Sequence, residues 1–475
     1  MNWSTTTALY DHQTRAVEKL RRSRVGGLLM EMGTGKTRAA IELVKLRAER
    51  IDHTVWFCPV ANKETIRYEI EKHTRGAAVY VFDSRTTAEN LPCVDWYVVG
   101  IESMSSSNRV TLAVAALISE SSFVIVDESS YIKNYNSRRT ARITMLSEKS
   151  RYRLILTGTP VSEGVVDLYS QMKFLSKKIL GYGSFHTFSA NHLVYSEDRP
   201  GQIVGSLNTA WLAERIQPYT YQVTKAECLD LPRKLYETRY CGLTAAQAER
   251  YQQAKEEALC LLDQVTDYEK TYILFQLFGS LQQIVCGYWN RRDPWSDEQE
   301  LIELPHDRLA VLLSVIHDIP ANERVIIWSK YHHSIRQIVA ALREAHGPDC
   351  TAEFHGGLSE ARREAELTRW RTGPARFLLA TQAAGGHGLT LNEAHYAIFY
   401  SNEFRYSTRA QAEDRCHRIG QEFPVTYIDV VCSGTIDDRI SSALARKANA
   451  AREFRREVNA IKDDFAMMKE LVQKL

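Results

Sequence analysis

Gly26-Gly27-Leu28-Leu29-Met30-Glu31-Met32-Gly33-Thr34-Gly35-Lys36-Thr37 is the stretch from which the rest of the chain is read. The first five residues form an apolar run suited to a buried strand, and the glycine-rich segment after it opens a helical pattern. Strand, glycine loop and helix in that order make a phosphate cradle. The glycines let backbone N–H groups approach phosphate oxygens, and the helix N-terminus favours negative charge. In such a cradle Lys36 serves the β- and γ-phosphates and the Thr37 hydroxyl ligates Mg²⁺. The full pattern has glycine at position 30, where this chain carries Met30; the glycines nearest the phosphate are kept.

Working outward, short apolar runs alternate with helical patterns in two blocks. The first continues with Thr54-Val55-Trp56-Phe57-Cys58, Trp96-Tyr97-Val98-Val99, Phe123-Val124-Ile125-Val126 and Arg153-Leu154-Ile155-Leu156. The second offers Val325-Ile326-Ile327-Trp328-Ser329, Phe377-Leu378-Leu379-Ala380-Thr381, Ala397-Ile398-Phe399-Tyr400 and Thr426-Tyr427-Ile428-Asp429-Val430-Val431. Near-continuous apolar strands separated by helices predict parallel sheets covered on both faces, and two blocks predict two α/β domains. Between them the strand signals are weak: helices are expected over Leu212–Tyr221, Thr244–Val265 and Tyr272–Cys286, and a loop over Gly287–Trp295. From Ile436 to Leu475 a long amphipathic helical pattern follows. The expected organisation is a first lobe over 1–160, helical protrusions and linker over 161–300, a second lobe over 301–440 and a C-terminal helical brace over 441–475.

Length and composition agree with that division. A chain of 475 residues is too long for one ordinary core. Its 44% hydrophobic and 25% charged residues belong to a soluble globular class, with no apolar run approaching a bilayer span and no secretion signal at Met1-Asn2-Trp3. The nine cysteines show no metal-ligand spacing, so reduced thiols in a cytoplasmic-type compartment are expected. A net charge of +2 implies that any grip on nucleic acid comes from a local basic track.

Two further segments carry chemistry. Phe123-Val124-Ile125-Val126-Asp127-Glu128 is a buried strand ending in adjacent carboxylates, at the end of a parallel strand where nucleotides bind. Asp127 is placed to hold Mg²⁺ and Glu128 to polarise an attacking water. In Gln411-Ala412-Glu413-Asp414-Arg415-Cys416-His417-Arg418-Ile419-Gly420-Gln421, the spacing of Arg415 and Arg418 predicts two guanidinium groups on one helix face, suited to a γ-phosphate.

Gln411 to Gln421 resembles the last helicase motif of superfamily-two ATPases, and specifically of the Swi/Snf family, whose pattern runs Gln-Ala-x-Asp-Arg-x-His-Arg-Ile-Gly-Gln. Leu9-Tyr10-Asp11-His12-Gln13 resembles that family's adenine-reading motif, Cys58-Pro59-Val60 and Val98 to Met104 its first two DNA-strand motifs, and Leu156-Thr157-Gly158-Thr159-Pro160 its coupling motif. Asp127-Glu128-Ser129-Ser130 with Ile132-Lys133-Asn134 is similar to the acidic motif, with Ser130 where histidine is usual. Thr381-Gln382-Ala383-Ala384-Gly385-Gly386-His387-Gly388-Leu389 resembles the fifth motif. Departures are Ser162-Glu163 in place of an Asn-Asn pair, and Phe404 where tryptophan is expected.

The resemblance implies two RecA-like doubly wound lobes and a compact prokaryotic or phage type. It implies ATP and Mg²⁺ held by Gln13, Met32, Gly33, Thr34, Gly35, Lys36, Thr37, Asp127, Gly388 and Gln411. Catalysis falls to Lys36, Asp127, Glu128, Arg415 and Arg418, and coupling to Thr157 and Thr159. DNA contacts fall to Pro59, Ser103, Lys330, His355, Gly356 and Thr381. The expected partner is duplex DNA, forked or branched DNA included, gripped by a monomer through sequence-independent backbone contacts. The leading expectation is a DNA-dependent ATPase that translocates on duplex DNA. A strand-separating or RNA-acting helicase and a non-hydrolysing DNA clamp are the alternatives.

Overall fold

The computed structural model describes residues 3–158, 160–161, 164–196, 201, 203–262, 264–265, 267–292, 299–385, 389–447, 450, 453–454, 457–458 and 465–475. The chain divides into two compact units, Met1–Asp230 and Leu231–Leu475. Among the described residues no helix is long and apolar enough to cross a membrane.

In the first unit seven parallel strands build one sheet. They are β1 (Val25–Met30), β2 (His53–Cys58), β3 (Val79–Val81), β4 (Trp96–Gly100), β5 (Ser122–Asp127), β6 (Tyr152–Leu156) and β7 (Thr220–Val223), in the order β7-β1-β6-β5-β2-β4-β3. Alternation along a strand divides its side chains between two cores. Val55 and Phe57 join Val99, Val124 and Ile155 on one face; Trp56 and Cys58 join Trp96, Ile125 and Leu154 on the other. Burying each large apolar side chain contributes about 1.5–3 kcal/mol, so neither face tolerates a register slip.

A six-stranded parallel sheet forms the second unit. Its strands are β8 (Lys234–Cys241), β9 (Arg324–Trp328), β10 (Thr351–Phe354), β11 (Phe377–Ala380), β12 (Ala394–Phe399) and β13 (Val425–Cys432), in the order β8-β13-β12-β9-β11-β10. Again the strands split by parity: Val325 and Ile327 pack with Leu379 and Ile398, while Ile326 and Trp328 pack with Leu378 and Phe399. Arg308 staples this unit internally. It is buried and donates to Asp437 Oδ2 at 2.6 Å, to the Tyr400 carbonyl at 2.7 Å and to the Val430 carbonyl. Each unit is the doubly wound lobe that the sequence predicts.

The region between the predicted lobes differs from expectation. The helix expected to reach Tyr221 ends at Ile216, and Thr220–Val223 instead extends the first sheet beside β1. Gly287–Trp295, expected to be a loop, contains the strand Tyr288–Arg292, paired antiparallel with Gln299–Glu303. Helices Ala245–Leu262 and Asp267–Val285 form near their expected places and make a third core with the tail, joining Leu274 and Phe278 to Ile440, Phe454 and Met468. The tail is not one uninterrupted helix: Ile436–Ala445 ends in Arg446 and a left-handed Lys447 before the helix Phe465–Gln473.

Candidate nucleotide site and nucleic-acid contacts

β1 leads through Glu31–Gly35 into α1 (Lys36–Lys45), whose N-cap is Gly35 and whose first turn carries no side-chain cap. Gly33 and Gly35 hold φ of 77° and 78°, a region that side chains disfavour. At Gly35 there is a second constraint: a Cβ would lie 2.2 Å from Gln13 Nε2. The Gln13 amide clasps the loop by donating to the Thr34 carbonyl (3.3 Å) and the Gly35 carbonyl (3.2 Å), while its oxygen accepts from Tyr10 N (3.0 Å). His12, which motif reading did not single out, also bonds the Thr34 carbonyl through Nε2 at 2.8 Å. Lys36 Nζ folds back onto the carbonyls of Met30 (2.9 Å) and Glu31 (3.4 Å). Thr37 sits half-buried in the first turn of α1. Met32 lies against the coupling segment, since a Cβ on Gly158 would come within 3.2 Å of its Cγ and N.

Asp127 closes β5 and is buried; Glu128 follows it at φ 48° and ψ 57°. Among the described residues only Glu128, Asn208 and Lys447 combine a side chain with positive φ. Left-handed backbone at a non-glycine residue stores strain, which clusters where surrounding structure fixes a functional group. Here it turns the chain directly after the strand, with Asp127 Oδ1 accepting from Glu128 N at 2.9 Å. Burial raises the Asp127 pKa, the adjacent Glu128 carboxylate adds to that, and Lys36 opposes it. A buried carboxylate beside a second one, with a lysine, a threonine hydroxyl and an uncapped helix N-terminus close in the fold, is a donor set that fits a polyphosphate and a divalent cation. Thr157, buried after β6, donates its N–H to the Leu28 carbonyl at 3.1 Å and so ties the coupling segment to β1. Thr159 lies outside the described residues.

In the second unit α2 (Tyr406–Glu413) ends before the arginines. Arg415 and Arg418 therefore do not share a helix face, as their spacing predicts. Asp414 caps the helix and the chain turns through Arg415–Gly420, with Gly420 at φ 94°. The turn still brings them together: Arg415 Nη1 and Arg418 Nη1 both donate to the Leu389 carbonyl, at 3.3 and 3.1 Å. Arg415, the more buried, also donates from Nε to the carbonyl of Gln411 at 3.1 Å. Gly388 lies outside the described residues.

Beneath them is a buried network absent from the motif reading. Arg409 donates to Glu413 Oε1 (2.9 Å), Asn402 Oδ1 (2.9 Å) and both oxygens of Asp429, and lies 3.4 Å from the Phe399 ring centre. Glu413 Oε2 accepts from Lys234 Nζ (3.0 Å) and Tyr236 OH (2.8 Å) on β8. The available signal was the i,i+4 spacing of Arg409 and Glu413.

The expected DNA contacts fall into two groups. Pro59 is buried, and its neighbour Val60 adjoins Ser103: Val60 N donates to Glu102 Oε2 at 2.9 Å, and a Cβ on Gly100 would meet both Val60 Cγ2 (2.5 Å) and Ser103 Oγ (3.3 Å). Lys330, His355, Gly356 and Thr381 lie at the C-terminal ends of β9, β10 and β11, the edge where α/β sheets bind ligands. Thr381 is buried, bonding the Phe354 carbonyl through its N–H (3.3 Å) and accepting from Ala384 N at Oγ1 (3.3 Å). The His355 ring bonds Glu353 at 3.3 Å, and Gly356 is exposed. The Lys330 ammonium donates to Gln282 Oε1 at 2.9 Å and stands 3.3 Å from the centre of the Phe404 ring; burial lowers its pKa to about 8. The aromatic position that departs from the family pattern thus packs on an expected phosphate contact.

Residues 12–287 match the model of the SNF2-related domain, and residues 307–420 that of the helicase conserved C-terminal domain. Among curated proteins, YwqA of Bacillus subtilis is 27% identical over 68% of this chain and 34% of its own length. TATA-binding protein-associated factor 172 of Homo sapiens is 25% identical over 69% of this chain and 20% of its own, and DNA excision repair protein ERCC-6 of Mus musculus 27% over 67% and 22%. The chain spans about a third or less of each of these relatives. A solved structure, the Sulfolobus solfataricus SWI2/SNF2 ATPase core in complex with dsDNA, is 22% identical with a TM-score of 0.44, covering 99% of this chain and 97% of that one. With more than half of its length matched by that first model, the chain belongs to the SNF2-related family and continues into the helicase conserved C-terminal domain.

Proposed function

We propose that this chain is an ATP-hydrolysing motor that steps along double-stranded DNA and remodels DNA or the protein–DNA complexes in its path. The observation that carries this reading is a pair of charge clusters. One unit sets Lys36 close enough to the buried Asp127 to oppose the rise that burial gives its pKa, and the other turns Arg415 and Arg418 onto one carbonyl. Membership of the SNF2-related family supports it.

Bound ATP with Mg²⁺ supplies the phosphoanhydride bond whose cleavage drives the cycle. Lys36 exchanges the Met30 and Glu31 carbonyls for phosphate oxygens. Thr37 and Asp127 hold the cation, Glu128 orients water and takes its proton, and Gln13 reads the base. The loop residues Met32, Gly33, Thr34 and Gly35 line the phosphates, and Gly388 and Gln411 are nucleotide contacts by the family resemblance. Arg415 and Arg418 exchange the Leu389 carbonyl for oxygens of the transferred group, and loss of that group releases them. Thr157 and Thr159 relay this change to Pro59, Ser103, Lys330, His355, Gly356 and Thr381 on the nucleic-acid backbone, a contact set that is independent of sequence and sensitive to salt.

The test is ATP hydrolysis measured with duplex DNA, single strands, forks, RNA and no nucleic acid. Strong stimulation by duplex DNA, abolished by Lys36→Ala or Glu128→Gln, is expected. Equal rates with and without nucleic acid refute the motor, stimulation by RNA alone reassigns the track, and DNA binding without any turnover leaves only a clamp.

A further inference from the structure

Gln171 belongs to none of the motifs above, yet its side chain joins two of them. It lies on α3 (Val166–Leu175), a helix of the first unit, and is fully buried. Its Oε1 accepts from Ser129 Oγ at 2.6 Å. Its Nε2 donates to the Pro160 carbonyl at 2.8 Å and to the carbonyl of Asp167, one turn back, also at 2.8 Å. Ser129 follows the strained Glu128 and is itself buried; Pro160 ends the coupling segment whose Gly158 abuts Met32 of the phosphate loop. One amide therefore spans the acidic turn and the coupling segment, with both ends committed.

The same helix supplies a parallel, weaker tie. Asp167 Oδ1 stands 3.8 Å from Lys133 Nζ, at the far end of the turn that begins with Ser129. Apolar side chains would fill the space beneath the turn more cheaply, because each buried polar atom needs its partner. Neutral hydrogen bonds of this kind are short-ranged and directional, so a shift of the Glu128 turn by a fraction of an ångström is felt at Pro160.

We propose that Gln171 is a positioning residue that transmits movement between the acidic turn at Glu128–Ser129 and the coupling segment ending at Pro160, so that hydrolysis and nucleic-acid engagement stay linked. The inference rests on the motor reading above. It goes further in assigning the linkage to one fully buried side chain outside the residues assigned to nucleotide and nucleic acid.

The test compares wild type, Gln171→Leu, Gln171→Glu, Ser129→Ala and the Ser129→Ala/Gln171→Leu double variant. Leucine preserves size but makes neither bond; glutamate keeps an acceptor for Ser129 and loses the donor to Pro160. Hydrolysis is measured with and without duplex DNA, and amide exchange of Thr157 and Gly158 with and without Mg-ATP. Expected for Gln171→Leu are an unchanged KM for ATP and an unchanged basal rate, with DNA stimulation lowered roughly three- to thirtyfold. Gln171→Glu falls likewise, and the double variant is no worse than Gln171→Leu alone. Full stimulation in Gln171→Leu overturns the inference, as does an equal fall in basal and stimulated rates together with lost thermal stability. If wild type itself is not stimulated, the motor reading has failed, and the exchange data decide this one. Protection of Gly158 by Mg-ATP that is lost in Gln171→Leu supports the link, and unaltered protection overturns it.

Discussion

Replacing Glu128 by glycine should stabilise the first unit while ending hydrolysis. The residue holds φ 48° and ψ 57°, where a side chain costs about 1–2 kcal/mol relative to the ordinary helical region. Glycine removes that cost but gives the unfolded chain more freedom, worth about 0.4–1 kcal/mol in the opposite direction. A net gain of about 0.5–1 kcal/mol remains. The substitution also removes a carboxylate beside buried Asp127, and Glu128→Gln isolates that second effect because glutamine keeps the strained backbone. The stability order should be glycine variant, then glutamine variant, then wild type. In a unit of this size 1 kcal/mol moves Tm by about 2–4 °C, so the two variants should differ by roughly 1–4 °C in calorimetry, with turnover absent from both. A glycine variant melting at or below the glutamine variant would show that the left-handed turn carries no strain, and the account of how Glu128 is held would fall.

Two further outcomes follow from buried charge in the second unit. Asp437→Asn leaves Arg308 without its 2.6 Å carboxylate partner and should cost about 3–5 kcal/mol in urea unfolding at unchanged slope; a loss under about 1 kcal/mol would remove the staple role. Lys330 has a folded pKa lowered to about 8 by burial, so above that pH the unfolded chain binds the extra proton and the lysine's contribution to stability rises with pH toward its ordinary value near 10.5. The difference between wild type and Lys330→Met, measured between pH 7 and 10, isolates this slope from the titrating tyrosines, and a flat difference contradicts burial of the ammonium.

What could be read in advance follows from which residues carry their own context. Val55-Trp56-Phe57-Cys58 and Val325-Ile326-Ile327-Trp328 are apolar on both faces because both faces are covered, so central strands announce themselves. Lys234–Cys241 does not. It is an edge strand whose Leu235, Tyr236 and Tyr240 are exposed and alternate with charge, so its sequence resembles a surface segment. Thr220–Val223 is four residues long and, among the described residues, pairs only with β1, too little to stand out beside the amphipathic helix before it. The candidate site divides the same way. Lys36, Asp127 and Glu128 are legible because strand, loop and helix precede or follow them. The contacts of Gln171, those of Arg409 with Asn402 and Asp429, and Gln13's hold on Gly35 join segments apart in the chain, and apart from the Arg409–Glu413 spacing the sequence carries no trace of them.

The arginines show why a motif can be recognised while its geometry is misread. Arg-x-x-Arg at helical spacing predicts a shared face, yet the helix stops at Glu413, one residue before the pair begins to turn. Its end is fixed from below. Glu413 is bound by Arg409, Lys234 and Tyr236, and its carbonyl accepts from Tyr427 OH at 2.8 Å, so the last turn cannot slide. A related pattern recurs at the other charged groups, each at the boundary of a regular element: Lys36 opens α1 after left-handed Gly35, and Glu128 is itself left-handed at the first position beyond β5. Backbone inside a strand or helix is committed to its own hydrogen-bond ladder, and its side chains point where the ladder sends them. A residue just past the end is free of that constraint but lies within one bond of the rigid element, so its direction is set by a few local contacts. Leu389 and Gln13 supply those contacts directly and Gln171 through Ser129, and this is why the chemistry reads from one segment while its aim is set by residues of others.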